Sequence, residues 1–145
     1  MQPPVSSCVF CRIMAGLEPA SFVYTDELAA AFMDINPVTR GHALVVPRAH
    51  VVDIYEASDE LAAAMFVVAA RLARAMKGAL GCDGVNFWMA NEPPAGQVVM
   101  HAHLHVIPRY VGDGFGLRRG STGRASRAEL DELAQRLSRA LEAKR

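Results

Sequence analysis

The sequence predicts an α+β fold, an antiparallel sheet of five strands with helices packed on one side. Two observations carry this. Five short runs of apolar, often β-branched residues outnumber the helical segments. Only the connection between the third and fourth runs is long enough to hold a crossover helix, and the short connections elsewhere favour antiparallel neighbours.

Taken in order, residues 8–15 read as a helical turn that Gly16 closes and Pro19 keeps from continuing. Ser21 to Tyr24 reads as a strand, Asp26-Glu27 as a turn, and Leu28 to Asp34 as a second strand weakened by three alanines. Asn36-Pro37 breaks it, and His42 to Pro47 forms the third, with a proline exit. The clearest helix follows. Ser58 caps it, Asp59 and Glu60 sit in its positive first turn, and Leu61, Met65, Val68, Leu72 and Met76 repeat at helical spacing as a core stripe. Gly81 stops it. Val85 to Ala90 is strand four, Asn91 to Gly96 a turn-rich loop, and Val99 to Pro108 strand five. A glycine- and arginine-rich tail over 112–124 precedes a last helix, capped by Ser126 with Glu129 three residues on. With no internal repeat and no splitting linker, the chain reads as one domain over 1–145, with a core at 8–116 and a tail and helix at 117–145.

Composition narrows the function classes. Of 145 residues, fifteen basic side chains balance fifteen acidic ones, so no global field attracts nucleic acid or an anionic membrane. A formal charge of zero suits self-association. The amino terminus lacks a basic start and an apolar run, which argues against a signal peptide. The longest apolar stretch, Leu61 to Ala70, is too short to span a bilayer. An odd count of three cysteines argues against a disulfide framework, and a cytoplasmic protein is the expectation.

Three of the five histidines fall on alternate positions in His101-Ala102-His103-Leu104-His105. On an extended strand they share one face, with Met100, Ala102, Leu104 and Val106 on the other. A rise of roughly 3.3 Å per residue spaces neighbouring imidazoles about 7 Å apart and the outer pair about 13 Å apart. Zinc–nitrogen bonds of about 2.0–2.1 Å cannot easily join the outer pair, so the row suits separate tasks better than one metal cage. An imidazole with a pKa of about 6.5 can act as nucleophile, acid or base at neutral pH. The flanked middle residue, His103, is the natural candidate to attack phosphorus, and an outer one can protonate the leaving group. Cys8-x-x-Cys11 by itself is compatible with zinc, a redox pair or chance, while Cys82 reads as a buried small hydrophobe.

The run His101-Ala102-His103-Leu104-His105-Val106-Ile107 resembles the defining motif of the histidine triad (HIT) superfamily. The likeness extends from Cys8 to Gly116 and includes Phe32-Met33-Asp34-Ile35-Asn36-Pro37, Gly41 to His50, and Gly96-Gln97. It implies a HIT-like fold, a five-stranded antiparallel sheet with two main helices, continued across a homodimer. It also implies a purine nucleotide substrate held by its α-phosphate, and no nucleic-acid or membrane partner. In that reading His103 is the nucleophile of a nucleotidyl-histidine intermediate, His105 contacts phosphate and leaving group, and His42 orients them. Asn91 and Gln97 would bind phosphate, Asp34 the ribose hydroxyls, and Phe10, Ile13, Phe32 and Ile35 the base. Bacterial relatives with Cys-x-x-Cys resemble this chain in residues matching Cys8, Cys11, His50 and His101, which implies a closed, structural zinc site. The sequence departs from the family at Val98, where relatives often carry Ser or Thr, and Pro93-Pro94 stiffens the preceding loop. A Hint-like phosphoramidase is the leading expectation. A Fhit-like dinucleoside polyphosphate hydrolase is an alternative, suggested by His105 to Arg109, and a nucleotide-binding scaffold with incidental turnover is another.

Overall fold

The computed structural model describes residues 7–116 and 123–143. It contains five strands, β1 (Phe22–Thr25), β2 (Ala29–Met33), β3 (Ala43–Pro47), β4 (Gly84–Trp88) and β5 (Leu104–Arg109). Among the described residues three α-helices accompany them, α1 (Val9–Met14), α2 (Asp59–Leu80) and α3 (Arg127–Glu142), and a 3₁₀ turn spans Pro93–Ala95. The strands form a single sheet in the order β1-β2-β3-β5-β4, and every adjacent pair is antiparallel. The chain divides into two compact units, Met1–Phe115 and Gly116–Arg145.

Side-chain alternation sorts the first unit's sheet into two faces. Ala29, Ala31, Ala43, Val45, Leu104 and Val106 pack against Met65, Val68, Ala69, Leu72 and Met76 of α2. The alanines that weaken β2 by propensity are fully buried, which is consistent with close approach of a helix to the sheet. Ser58 accepts from the Leu61 N–H at one end of α2, and Gly81 ends it in the left-handed conformation at φ 62°. The other face carries Phe32, Leu44 and Val46 against Phe10, Cys11 and Ile13 of α1. Helices on one side only is therefore corrected: α1 caps the face opposite α2. Both α1 and α2 begin at a side-chain cap, Cys8 for the former.

Strand five is shorter than expected. Pairing with β3 ends at Val45↔Leu104, so His101, Ala102 and His103 lie outside the ladder. Pro47 has no N–H to extend the pairing, and its carbonyl is taken by the His101 ring at 2.8 Å. In the second unit, Ser126 accepts from the Glu129 N–H to cap α3, and Leu130, Leu133, Leu137 and Leu141 are exposed along it. No helix among the described residues is long and apolar enough to cross a membrane.

Candidate functional site

Residues directly opposite one another on antiparallel strands share a face. The registers Phe22↔Phe32, Phe32↔Leu44, Leu44↔His105 and Trp88↔His105 therefore make one row across all five strands. Four members of that row line a cavity of about 930 Å³, closed at one side by Val9, Phe10 and Ile13 of α1. Its size falls within the range of small-molecule sites. His42, His103 and His105 open into it together with Asp34, Ile35, Gly96, Val98 and Val99.

Hydrogen bonds set the histidine tautomers. The Val38 N–H donates to His42 Nδ1 at 3.2 Å, which leaves the His42 proton on Nε2. That N–H reaches His105 Nδ1 at 2.8 Å, so His105 carries its own proton on Nε2. Asp34 Oδ2 stands 3.4 Å from His42 Nε2 and 4.0 Å from His105 Nδ1. His103 is set the opposite way. Its Nδ1–H donates to the His101 carbonyl at 2.7 Å, which leaves Nε2 with a free lone pair. Phe10 meets the His103 ring edge-on at 5.2 Å, and Trp88 lies 5.0 Å from the His105 ring. The imidazoles of His103 and His105 are 4.9 Å apart between centroids, closer than a regular strand spacing gives, because His103 lies just before the ladder begins.

Burial keeps these rings neutral. It pushes the His105 pKa down to about 4, helped by nearby His103 and His42 and opposed by Asp34. Burial likewise lowers His103, opposed by the His101 carbonyl, and lowers His42, opposed by Asp34. His101 also falls to about 4, again mainly through burial. Each depressed imidazole binds a proton less readily in the folded chain than at its free value of 6.5. For His105, unfolding therefore takes up a proton as pH drops, and the stability this group contributes above pH 6.5 is lost progressively toward about pH 4. Urea midpoints measured across a pH series should be level above neutrality and fall through that window. A level midpoint down to the lower limit would contradict the buried, neutral histidines.

The remaining sequence-predicted residues divide. Asp34 lines the cavity, and its Oδ1 also accepts from the Asn36 N–H at 2.8 Å, so the turn and site readings coexist. Phe10, Ile13 and Phe32 are buried in the cavity wall, whereas Ile35 is 91% exposed at its edge. Asn91 and Gln97 are not brought to the cavity. Asn91 Oδ1 accepts from the Ile54 N–H. The buried Gln97 amide accepts from the Glu92 N–H and donates to the carbonyls of Val52 and Val99. Glu92 has φ 71° and ψ 153°, a region nearly reserved for glycine, so Gln97 braces a strained loop. Sequence patterning does not single out Trp88 or Leu44 as site residues. Only the strand register, unavailable from local patterning, puts them beside His105.

A second cluster lies beside the first. Donor atoms of Cys8, Cys11, His50 and His101 all fall within 4.8 Å of one another. Cys8 Sγ is 3.3 Å from His101 Nδ1, Cys11 Sγ is 3.2 Å from His50 Nδ1, and Cys11 Sγ is 3.6 Å from His101 Nδ1. A zinc tetrahedron with bonds of about 2.3 Å to sulfur and about 2.0–2.1 Å to nitrogen has sulfur–nitrogen edges of about 3.6 Å. Two soft sulfurs and two imidazole nitrogens therefore fit zinc in chemistry and spacing. The His101 Nε2–H donates to the Pro47 carbonyl, which fixes the tautomer that aims Nδ1 at the sulfurs. Burial, with Cys8 alongside, pushes the Cys11 thiol up to about 11, so a bound cation has to displace its proton.

Comparison with known proteins agrees with this geometry. The HIT domain model matches residues 16–112. "Protein hit" of Bacillus subtilis is 47% identical over 111 residues, covering 76% of this chain and 77% of that one. The Arabidopsis thaliana adenylylsulfatase HINT3 is 36% identical over 104 residues, 72% of this chain and 53% of that one. A HIT family protein from Bacillus anthracis superposes with a TM-score of 0.86 at 38% identity, covering 92% of this chain and 96% of that one. A zinc-bound histidine triad family protein from Mycobacterium smegmatis gives 0.75 at 38% identity over 98% and 100% of the two chains. With the family model spanning all five strands, and with a relative 47% identical over 76% of this chain, the chain belongs to the HIT family.

Proposed function

We propose that this protein is a nucleotide hydrolase of the Hint-like phosphoramidase type. It would cleave a nucleoside monophosphate from an amine or similar leaving group. The observation that carries the reading is the opposed pair of tautomers in one cavity, a bare Nε2 on His103 and a protonated Nε2 on His105. His103 Nε2 attacks the α-phosphorus as the bond to the leaving atom breaks with its electron pair. His105 Nε2–H is placed to supply that atom's proton, the ring having taken up a second proton from solvent once the anionic phosphate is bound beside it and returning to the neutral form as the proton leaves. Water then attacks the nucleotidyl-His103 phosphorus, its proton returns to His105, and the monophosphate departs. His42 orients His105 through the 2.8 Å bond. Asp34 takes the ribose hydroxyls, and Phe10, Ile13, Phe32 and Ile35 hold the base. Cys8, Cys11, His50 and His101 hold structural zinc, consistent with the zinc-bound Mycobacterium smegmatis relative.

One feature favours a phosphoramidate over a dinucleoside polyphosphate. Among the described residues lining the cavity there is no lysine or arginine, while Asp34 and Glu18 are present. Several phosphate charges would go unmatched there, whereas a nucleoside phosphoramidate monoester carries one. Val98, 87% exposed at the cavity, adds no hydroxyl toward the phosphate. Adenylylsulfatase activity in the Arabidopsis relative is consistent with attack at a nucleotide's α-phosphate. The outer strand β4 leaves Phe87 and Trp88 partly exposed, which supports a homodimer joined along that edge. Three free cysteines suit a reducing, cytoplasmic setting.

Steady-state rates on an adenosine phosphoramidate and a diadenosine polyphosphate test the reading. A clear preference in kcat/KM for the first is expected, and a reversed preference would move the protein to the Fhit-like class. Binding without turnover of either would make it a scaffold. Asp34→Ala should weaken ribonucleotides by roughly tenfold or more, given about 1.5–3 kcal/mol for a hydrogen bond to a charged group. It should affect 2′,3′-dideoxy counterparts much less. Equal losses, read by calorimetric titration, would remove Asp34 from the sugar site.

A further inference from the structure

The two clusters share one residue and one carbonyl. His101 is completely buried, and its side chain belongs to the sulfur-bearing cluster, 3.3 Å from Cys8 and 3.6 Å from Cys11. Its backbone oxygen accepts the His103 Nδ1–H at 2.7 Å. That hydrogen bond leaves Nε2 of His103 unprotonated and aims the ring. The segment bearing both histidines precedes β5, so no strand ladder fixes it. Its placement rests on the His101 side chain, held by Cys8, Cys11 and the Pro47 carbonyl, and on one backbone bond from the Ala102 N–H to the Val51 carbonyl at 2.7 Å. A second link runs through α1. Phe10, between Cys8 and Cys11 in sequence, meets His101 at 5.8 Å and His103 at 5.2 Å, both edge-on.

We propose that His101 is a positioning residue that couples occupancy of the Cys8–Cys11–His50–His101 cluster to the aim of His103. The inference rests on His103 as nucleophile and on zinc as the cluster's ion. With the cluster occupied, the His101 side chain is tied to α1 and to Pro47, and its carbonyl is held where His103 needs it. With the cluster empty, the tether to Cys8 and Cys11 loosens, and the carbonyl and Phe10 shift together. His103 then samples both tautomers and a wider range of ring angles. A displacement of about 1 Å at a reacting group can cost about 100-fold in rate. The metal site is thereby a requirement for full activity even where the fold persists without it.

The test uses the full chain loaded with zinc, stripped by chelator, and reloaded, all below the melting temperature of the stripped form. Single-turnover nucleotidyl transfer from an adenosine phosphoramidate should slow by roughly 10- to 100-fold on stripping. Reloading should restore wild-type protein but not Cys11→Ser. Side-chain ¹⁵N spectra, which need no substrate, should show His103 wholly Nδ1–H in the loaded form and mixed in the stripped form. If the stripped chain does not stay folded, zinc- and cadmium-loaded protein are compared. The larger ion should move the His103 resonances more than those of His42, and alter the rate. A stripped or cadmium-loaded protein with unchanged His103 signals and unchanged rate would overturn the coupling. Failure of the zinc-loaded chain to turn over any phosphoramidate would instead overturn the function proposed above, and the imidazole spectra would still decide the coupling.

Discussion

Replacing His103 with alanine should abolish turnover while leaving nucleotide affinity within a few-fold of wild type. The ring occupies the middle of the triad with its Nδ1–H tied to the His101 carbonyl and its Nε2 free. In the proposed mechanism, removing it deletes the atom that would bond to phosphorus and leaves the rest of the cavity wall in place. Loss of a covalent nucleophile costs on the order of 10⁴- to 10⁶-fold in kcat, far more than any single binding contact. His105 cannot substitute, because its Nδ1 receives the His42 proton and its Nε2 holds its own. Steady-state rates paired with calorimetric affinity for a nucleoside monophosphate check this. A variant that keeps a substantial fraction of wild-type kcat would show that His103 is not the nucleophile.

The second large effect concerns the metal cluster. Purified protein should carry about one zinc per chain, and either Cys8→Ser or His50→Ala should reduce that content sharply. Metal held only by the folded chain stabilises it, by many kcal/mol in small zinc domains. This unit has a larger core on α2, so a smaller share is expected here, a fall in melting temperature of roughly 10 °C or more. His50 does not line the cavity that holds His103 and His105, so its variant should keep far more activity than His103→Ala below its own melting transition. Elemental analysis and thermal denaturation provide the two readouts. Zinc absent from protein prepared without chelator, or variants that melt like the wild type, would remove the structural role.

The parts of the fold set by local chemistry were readable from the sequence. Ser58, the stripe from Leu61 to Met76, and Gly81 fix α2 within its own segment, and the structure places them as a cap, a buried face and a left-handed stop. The alternation of His101, His103 and His105 correctly assigned them to one side of the chain. It did not reveal where the ladder stops, because alternation reports side-chain facing and says nothing about a partner strand. Pro47, on a different strand, makes that decision by lacking an N–H.

The same distinction separates the site residues. Asp34, His42, His103 and His105 meet in one cavity, and Cys8, Cys11, His50 and His101 gather into a cluster that could hold a metal ion. Gln97 precedes the triad in sequence but spends its amide on Glu92, Val52 and Val99. Composition cannot tell a loop brace from a ligand contact, since the same amide serves either. Trp88 was invisible as a site residue because its partner His105 arrives across a register that only folding defines. The carbonyl of His101 carried no sequence signal, since every residue has one.

The most direct test of the central claim is to trap the covalent intermediate. Rapid base-quench of the wild type during turnover of an adenosine phosphoramidate, which preserves phosphoramidate bonds, should yield one nucleotidyl group on the peptide that holds the triad. Fragmentation should place it on His103, and it should be absent from His103→Ala. Turnover with no protein-bound nucleotide at any quench time, or a nucleotidyl group on His105 instead, would contradict the account.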